Sequence, residues 1–184
     1  MGAIYNSIPT ELAERLQRAF DIKVFVESGL GQGTSALWAE RHFDTCISIE
    51  IDSILVEQFK SRHTQSNVRI IEGNSGVAIA EIMSSLVTPA LFWLDGHTDD
   101  YTPVLTEIAS INASTLDHII WIDDARLFNT LSAWPNYDSV IMAAKDGARR
   151  FVLEHNDIIM AFQYKTLRLF ENILLKGTIN GLSL

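Results

Sequence analysis

The chain has one cysteine, Cys46, so no intrachain disulfide can form. That residue lies in the apolar run Thr45-Cys46-Ile47-Ser48-Ile49, where a buried, inert thiol is expected. Such economy with cysteine fits a reducing, cytoplasmic setting. Basic residues are the minority: 14 Lys and Arg stand against 23 Asp and Glu, a net charge of −9. A surface of that sign repels phosphate backbones and anionic lipid, which counts against a nucleic-acid or membrane partner. Long hydrophobic runs are missing too, and no stretch approaches the roughly 20 apolar residues of a membrane span. The opening residues, Met1-Gly2-Ala3-Ile4-Tyr5-Asn6, lack the basic region and apolar core of a signal peptide, and the Ser or Thr of a myristoylation site. No linker, repeat or low-complexity block divides the 184 residues, which are expected to form one domain, 1–184.

What is present is a repeating alternation. Short apolar runs at Val24-Phe25-Val26, Cys46-Ile47-Ser48-Ile49, Val68-Arg69-Ile70-Ile71, Ala90-Leu91-Phe92-Trp93-Leu94 and Ile119-Ile120-Trp121-Ile122 are separated by stretches with helical spacing. Runs that are apolar on both faces read as strands of a parallel sheet covered on both sides. The alternation therefore predicts βαβ units with right-handed crossovers. A further helix is expected from about Thr10 to Phe20 within an N-terminal extension, residues 1–22, and another near Asp138 to Lys145. Arg150–Glu154 and Ile158–Phe162 flank only three residues, so they predict an antiparallel hairpin. The expected fold is α/β: a Rossmann-like doubly wound sheet of five parallel strands closed by a C-terminal antiparallel hairpin. The tail from Thr166 to Leu184 reads equally as helix or strand.

The strongest motif is Glu27-Ser28-Gly29-Leu30-Gly31-Gln32-Gly33-Thr34-Ser35. A strand ends in an acid, and glycines at every second position lead into a helix. Glycine permits tight turning and close approach of backbone to a ligand. The dinucleotide motif separates its last two glycines by two residues; here the separation is one, and the preceding acid favours a cationic ligand over a pyrophosphate. A glycine-rich connection without a ligand is the plainer alternative. Glu50 ends the second strand about twenty residues later, where a carboxylate can accept hydrogen bonds from both hydroxyls of a ribose. Asn74, in Gly73-Asn74-Ser75 after the third strand, is placed to meet an adenine amino group, to cap the next helix, or both.

The fourth and fifth strands end in Asp95-Gly96-His97 and Asp123-Asp124. Neighbouring strands lie about 4.8 Å apart, so Asp95, Asp123 and Asp124 can converge. Two carboxylates about 5 Å apart repel by roughly 3 kcal/mol at an effective dielectric of 20. A proton or a cation relieves that, and an all-oxygen set suits Mg²⁺, Mn²⁺ or Ca²⁺. The alternative is that these aspartates cap the following turns and His97 is a surface loop residue. His42, His63, His118 and His155 lack clustered partners and read as structural.

This series resembles the class I S-adenosylmethionine-dependent methyltransferases over roughly residues 20 to 165. The resemblance implies that the glycine loop with Glu27, Gly29, Gly31, Gly33 and Thr34 holds the methionine part of S-adenosylmethionine, that Glu50 holds the ribose, that Asn74 and Ser75 lie at the adenine, and that Asp95 also contacts the cofactor. The chain departs from the family, which often has Asp, at Asn74. Asp95 with the Asp123-Asp124 pair is similar to the metal-dependent O-methyltransferases of the catechol and macrocin types, where such acids bind a divalent cation that orients acceptor hydroxyls. In the sugar-directed enzymes the residue two past the strand-four acid acts as base. That position is His97 here, with Asp95 beside it. The Trp93-Leu94-Asp95-Gly96-His97 and Ile122-Asp123-Asp124-Ala125-Arg126-Leu127-Phe128 segments also resemble a group of bacterial methyltransferase-like proteins.

The implied activity is methyl transfer to oxygen of a small hydroxylated acceptor, such as a sugar or diol, assisted by the cation. Arg126 either holds an anionic group of the acceptor or caps a helix. Two other readings stay open: a protein that binds S-adenosylmethionine or S-adenosylhomocysteine without transferring methyl, and a nicotinamide-dependent oxidoreductase, against which the glycine spacing argues. A homo-oligomer stays open as well.

Overall fold

A computed structural model describes residues 8–98 and 100–163; the C-terminal tail, left open between helix and strand above, lies outside the described residues. Strands β1 (Val24–Ser28), β2 (Thr45–Glu50), β3 (Arg69–Glu72), β4 (Ala90–Leu94) and β5 (Ile119–Ile122) alternate with helices α2 (Thr34–Ala39), α3 (Ser53–Arg62), α4 (Ser75–Met83) and α5 (Val104–Asn112). Helix α1 (Thr10–Phe20) precedes them, and α6 (Tyr137–Lys145), β6 (Arg150–His155) and β7 (Ile158–Gln163) follow. The sheet order is β3-β2-β1-β4-β5-β7-β6. The five strands β1–β5 are mutually parallel, and β7 pairs antiparallel with both β5 and β6. The expected architecture is therefore the observed one.

The central strands form because their residues are buried from both sides. One face packs Val26, Phe92, Ile120 and Ile159 against α4, α5 and α6; the other packs Phe25, Leu91, Trp93 and Trp121 against α1 and α2. Every residue of β1, β4 and β5 is buried, which explains the uninterrupted apolar runs of β4 and β5. Helix starts follow local chemistry: Asp52, Asn74 and Asn136 each accept a backbone N–H two or three residues on, the N-cap bond. The β6–β7 turn places Asn156 and Asp157 both at positive φ, 50° and 68°, a backbone that Asn and Asp tolerate and that matches strand twist in a two-residue hairpin.

The order reverses between β1 and β4, since β2 and β3 lie to one side of β1 while β4 and β5 lie to the other. At such a switch point the loops leave a crevice beyond the carboxyl ends of the strands. The exits are tied together there. Gly29 N–H donates to Ile49 O at 2.9 Å, Gly73 N–H to Glu50 O at 2.8 Å, Asp95 N–H to Ser28 O at 3.1 Å and Asp123 N–H to Leu94 O at 3.1 Å.

Candidate functional site

A cavity of about 880 Å³ occupies this crevice, lined among others by Gly29, Gly31, Glu50, Asn74, Asp95 and Asp124. Its volume is in the range of small-molecule and cofactor sites. Thr34, Ser75, His97, Asp123 and Arg126 also reach it. Glu50 is nearly buried, and its two carboxylate oxygens accept Gly31 N–H at 3.1 Å and Asp52 N–H at 3.0 Å. Those bonds aim the carboxylate across the glycine loop and leave lone pairs for a ligand.

The three glycines differ in what surrounds them. A Cβ at Gly29 would sit 2.6 Å from the carbonyl oxygen of Asp95, so β1 and β4 exit too closely for any side chain. At Gly33 it would sit 2.4 Å from the Phe59 ring. At Gly31 it would meet nothing within 4 Å, because that residue faces the open cavity. Gly33 does not line the cavity; it lets the start of α2 pack on α3, a different job from the ligand contact expected of it.

Glu27 is also placed differently from the sequence expectation. It is fully buried behind the cavity wall and accepts hydrogen bonds from the hydroxyls of Ser35 and, at 2.5 Å, Ser48. Burial pushes its carboxyl up to about 7. Ser35, which donates to it, does line the cavity. Asn74 lines the cavity while its side-chain oxygen accepts Gly76 N–H at 2.9 Å, so its capping role is realised.

At the β4–β5 end, the set that converges is Asp95, His97 and Asp124, whose ligand atoms all lie within 4.8 Å of one another. His97 Nε2 is 2.9 Å from Asp124 Oδ2 and 3.8 Å from Asp95 Oδ1. Asp123 stands outside this trio. Its Oδ1 accepts Asp124 N–H at 2.8 Å, and Asp124 has a left-handed backbone, φ 57°. Burial and the neighbouring Asp123 and Asp124 raise the Asp95 carboxyl to about 8, and burial raises Asp123 to about 7. The bond to Asp124 raises His97, and the same bond lowers Asp124. The His97 ring packs edge-on to Trp134, whose Nε1 donates to Thr98 O at 3.0 Å.

Arg126 donates to Asp124 Oδ1 at 2.6 Å and to Asp157. Asp157 was not singled out in the sequence. Because β7 runs antiparallel beside β5, the β6–β7 turn necessarily falls at the exit of β5, and that topology was the available signal. Ser35, Ser48 and the buried Glu107 were likewise missed, since serine and a helix-face glutamate carry no distinguishing pattern. His118 is buried below the other end of the sheet, accepting Ala90 N–H at 3.1 Å. Cys46 is buried, and that burial raises its thiol.

Among solved structures, the chain is similar to an O-methyltransferase from Bacillus cereus in complex with S-adenosylhomocysteine, with 14% identity over 88% of this chain and 84% of that one and a TM-score of 0.66. This chain has the class I methyltransferase fold. It is also similar to the MycE methyltransferase of mycinamycin biosynthesis, in complex with Mg and S-adenosylhomocysteine (12% identity, 88% of this chain, 51% of that one, TM-score 0.64). An rRNA methylase from Streptococcus thermophilus shares the fold as well (12% identity, 85% and 97%, TM-score 0.50), so the fold leaves the acceptor undecided. No family model matches the chain, and no curated protein matches it significantly. Among the described residues no helix is long and apolar enough to cross a membrane.

Proposed function

We propose that the chain is an S-adenosylmethionine-dependent methyltransferase acting on an oxygen of a small hydroxylated acceptor, with help from a divalent cation. The observation that carries the reading is Glu50: its carboxylate is fixed by two backbone amides at the wall of the cavity, next to a glycine loop that leaves open space at Gly31. A carboxylate so placed accepts the two hydroxyls of a ribose. Asn74 and Ser75 line the neighbouring wall, where the adenine belongs in this reading, and Gly29, Gly31 and Thr34 border the methionine part.

The acid cluster fits a cation, because the carboxylates of Asp95 and Asp124 come within 4.8 Å of each other and Asp123 adjoins them. Asp95 and Asp124 are the residues that would hold it, and its charge would lower the pKa of an acceptor hydroxyl. S-Adenosylmethionine supplies an electrophilic methyl group on sulfonium. The chain's own contribution is to hold donor and acceptor in line, an effect that reaches roughly 7–11 kcal/mol in ideal geometry. His97, braced by Asp124 and Trp134, takes the acceptor's proton. Arg126 is committed to Asp124 and Asp157, which favours a neutral acceptor such as a sugar or diol over an anionic one.

The test is transfer of labelled methyl from S-adenosylmethionine to a panel of diols and sugars, with and without EDTA. Transfer that EDTA abolishes and Mg²⁺ restores is the expected result. Transfer untouched by EDTA removes the cation from the proposal. Binding of the donor with no transfer to any acceptor favours a binding protein instead.

A further inference from the structure

Glu107, in the first turn of α5, is 1% exposed. Burying a carboxyl is costly unless its oxygens are partnered. The hydroxyls of Ser75 and Ser28 bond to it, but Oε1 has no partner. The two serines connect it to different parts of the site. Ser75 begins α4 and lines the large cavity; Ser28 ends β1, and its Oγ accepts Gly96 N–H at 3.2 Å in the loop between Asp95 and His97. Glu107 also borders a second cavity, of about 10 Å³, shared with Asp95, Asp123 and Thr102. That is room for about one water, and buried waters occupy polar pockets where protein groups are left unsatisfied.

We propose that Glu107 is a positioning residue that ties the floor of the donor pocket to the acid cluster, through Ser75 and Ser28 on one side and, on the other, through a single buried water between its Oε1 and the Asp95–Asp123 wall. The inference rests on the donor-pocket reading above. A residue that merely packed α5 against the sheet would be replaced without loss by an apolar side chain of similar size, since such swaps of buried polar groups are often neutral or stabilising.

The test combines Glu107→Met and Glu107→Gln with calorimetric titration of S-adenosylhomocysteine, thermal unfolding, and a crystal structure of the unaltered protein that resolves ordered water. The expected results are a water bonded to Oε1 in the small cavity, a tenfold or greater loss of affinity in Glu107→Met at undiminished melting temperature, and affinity within about threefold of the original in Glu107→Gln. Full affinity in Glu107→Met, or no water at Oε1, overturns the proposal. Where Glu107→Met does not fold, Ser28→Ala, a residue that does not line the large cavity, takes its place: the same tenfold loss supports the proposal and undiminished affinity overturns it. An unaltered protein that binds no S-adenosylhomocysteine refutes the donor pocket itself, and the water then decides the network alone.

Discussion

Gly29, Gly31 and Gly33 all have positive φ, yet an added methyl group meets something different at each. Gly29→Ala combines a left-handed backbone with a backbone clash that cannot relax. It is expected to cost on the order of 2–3 kcal/mol of stability, measured by urea unfolding. Gly31→Ala has the backbone cost alone, about 1 kcal/mol, but its methyl group projects into the cavity. That variant should fold and bind S-adenosylmethionine more weakly. Equal loss of stability in both would contradict the placement of the loop. Glu50→Ala removes hydrogen bonds to a charged acceptor, worth roughly 1.5–3 kcal/mol each, and is expected to weaken the donor at least tenfold by calorimetry. Which carboxylate of Asp123-Asp124 would join Asp95 was not legible in the sequence. The answer depends on where each side chain leaves the strand end, and strand-end spacing says nothing of it.

At the scale of elements, the strands were legible because a sheet covered on both faces must be built from unbroken apolar runs. The run at Ala90–Leu94 and the run at Ile119–Ile122 coincide with β4 and β5, and the helix expected from about Thr10 to Phe20 coincides with α1. The hairpin followed from loop length alone. Its consequence did not: pairing of β7 with β5 brings Asp157 up to Arg126, where its backbone carbonyl and side chain accept from Ala125 and Arg126 N–H at 2.9 and 2.7 Å. That contact joins residues 31 apart in the chain, beyond any local pattern. Asn74 serves both a helix and the cavity. Asn74→Ala is expected to cost about 1 kcal/mol in stability through the lost N-cap, whereas Asn74→Asp, which keeps the cap, should leave stability within about 0.5 kcal/mol in chemical denaturation. A neutral Asn74→Ala would mean that α4 starts elsewhere.

Over the whole molecule, four carboxyls stand out among the described residues, all raised chiefly by desolvation: the buried Glu27, Glu107 and Asp123 to about 7 and the half-buried Asp95 to about 8. Each binds its proton more tightly in the folded chain than in the unfolded one, where it titrates near 4. Folded protein therefore carries more protons between pH 4 and 8, and stability falls as pH rises across that window. Their contribution is fully present below about pH 4 and is lost once pH has passed the folded values. The melting temperature without ligand should accordingly be higher at pH 5.5 than at pH 8, and a divalent cation at the acid cluster should narrow the gap by raising the value at pH 8. A melting temperature that climbs from pH 5.5 to 8 would show these carboxyls to be ionised and paired.

The central claim is that the crevice at the sheet's reversal point binds a ribosyl sulfonium donor. It is tested most directly by calorimetric titration of the unaltered chain with S-adenosylmethionine and, separately, with NAD. Saturable one-to-one binding of S-adenosylmethionine with no heat from NAD is the predicted result. Binding of NAD with none of S-adenosylmethionine would contradict the claim.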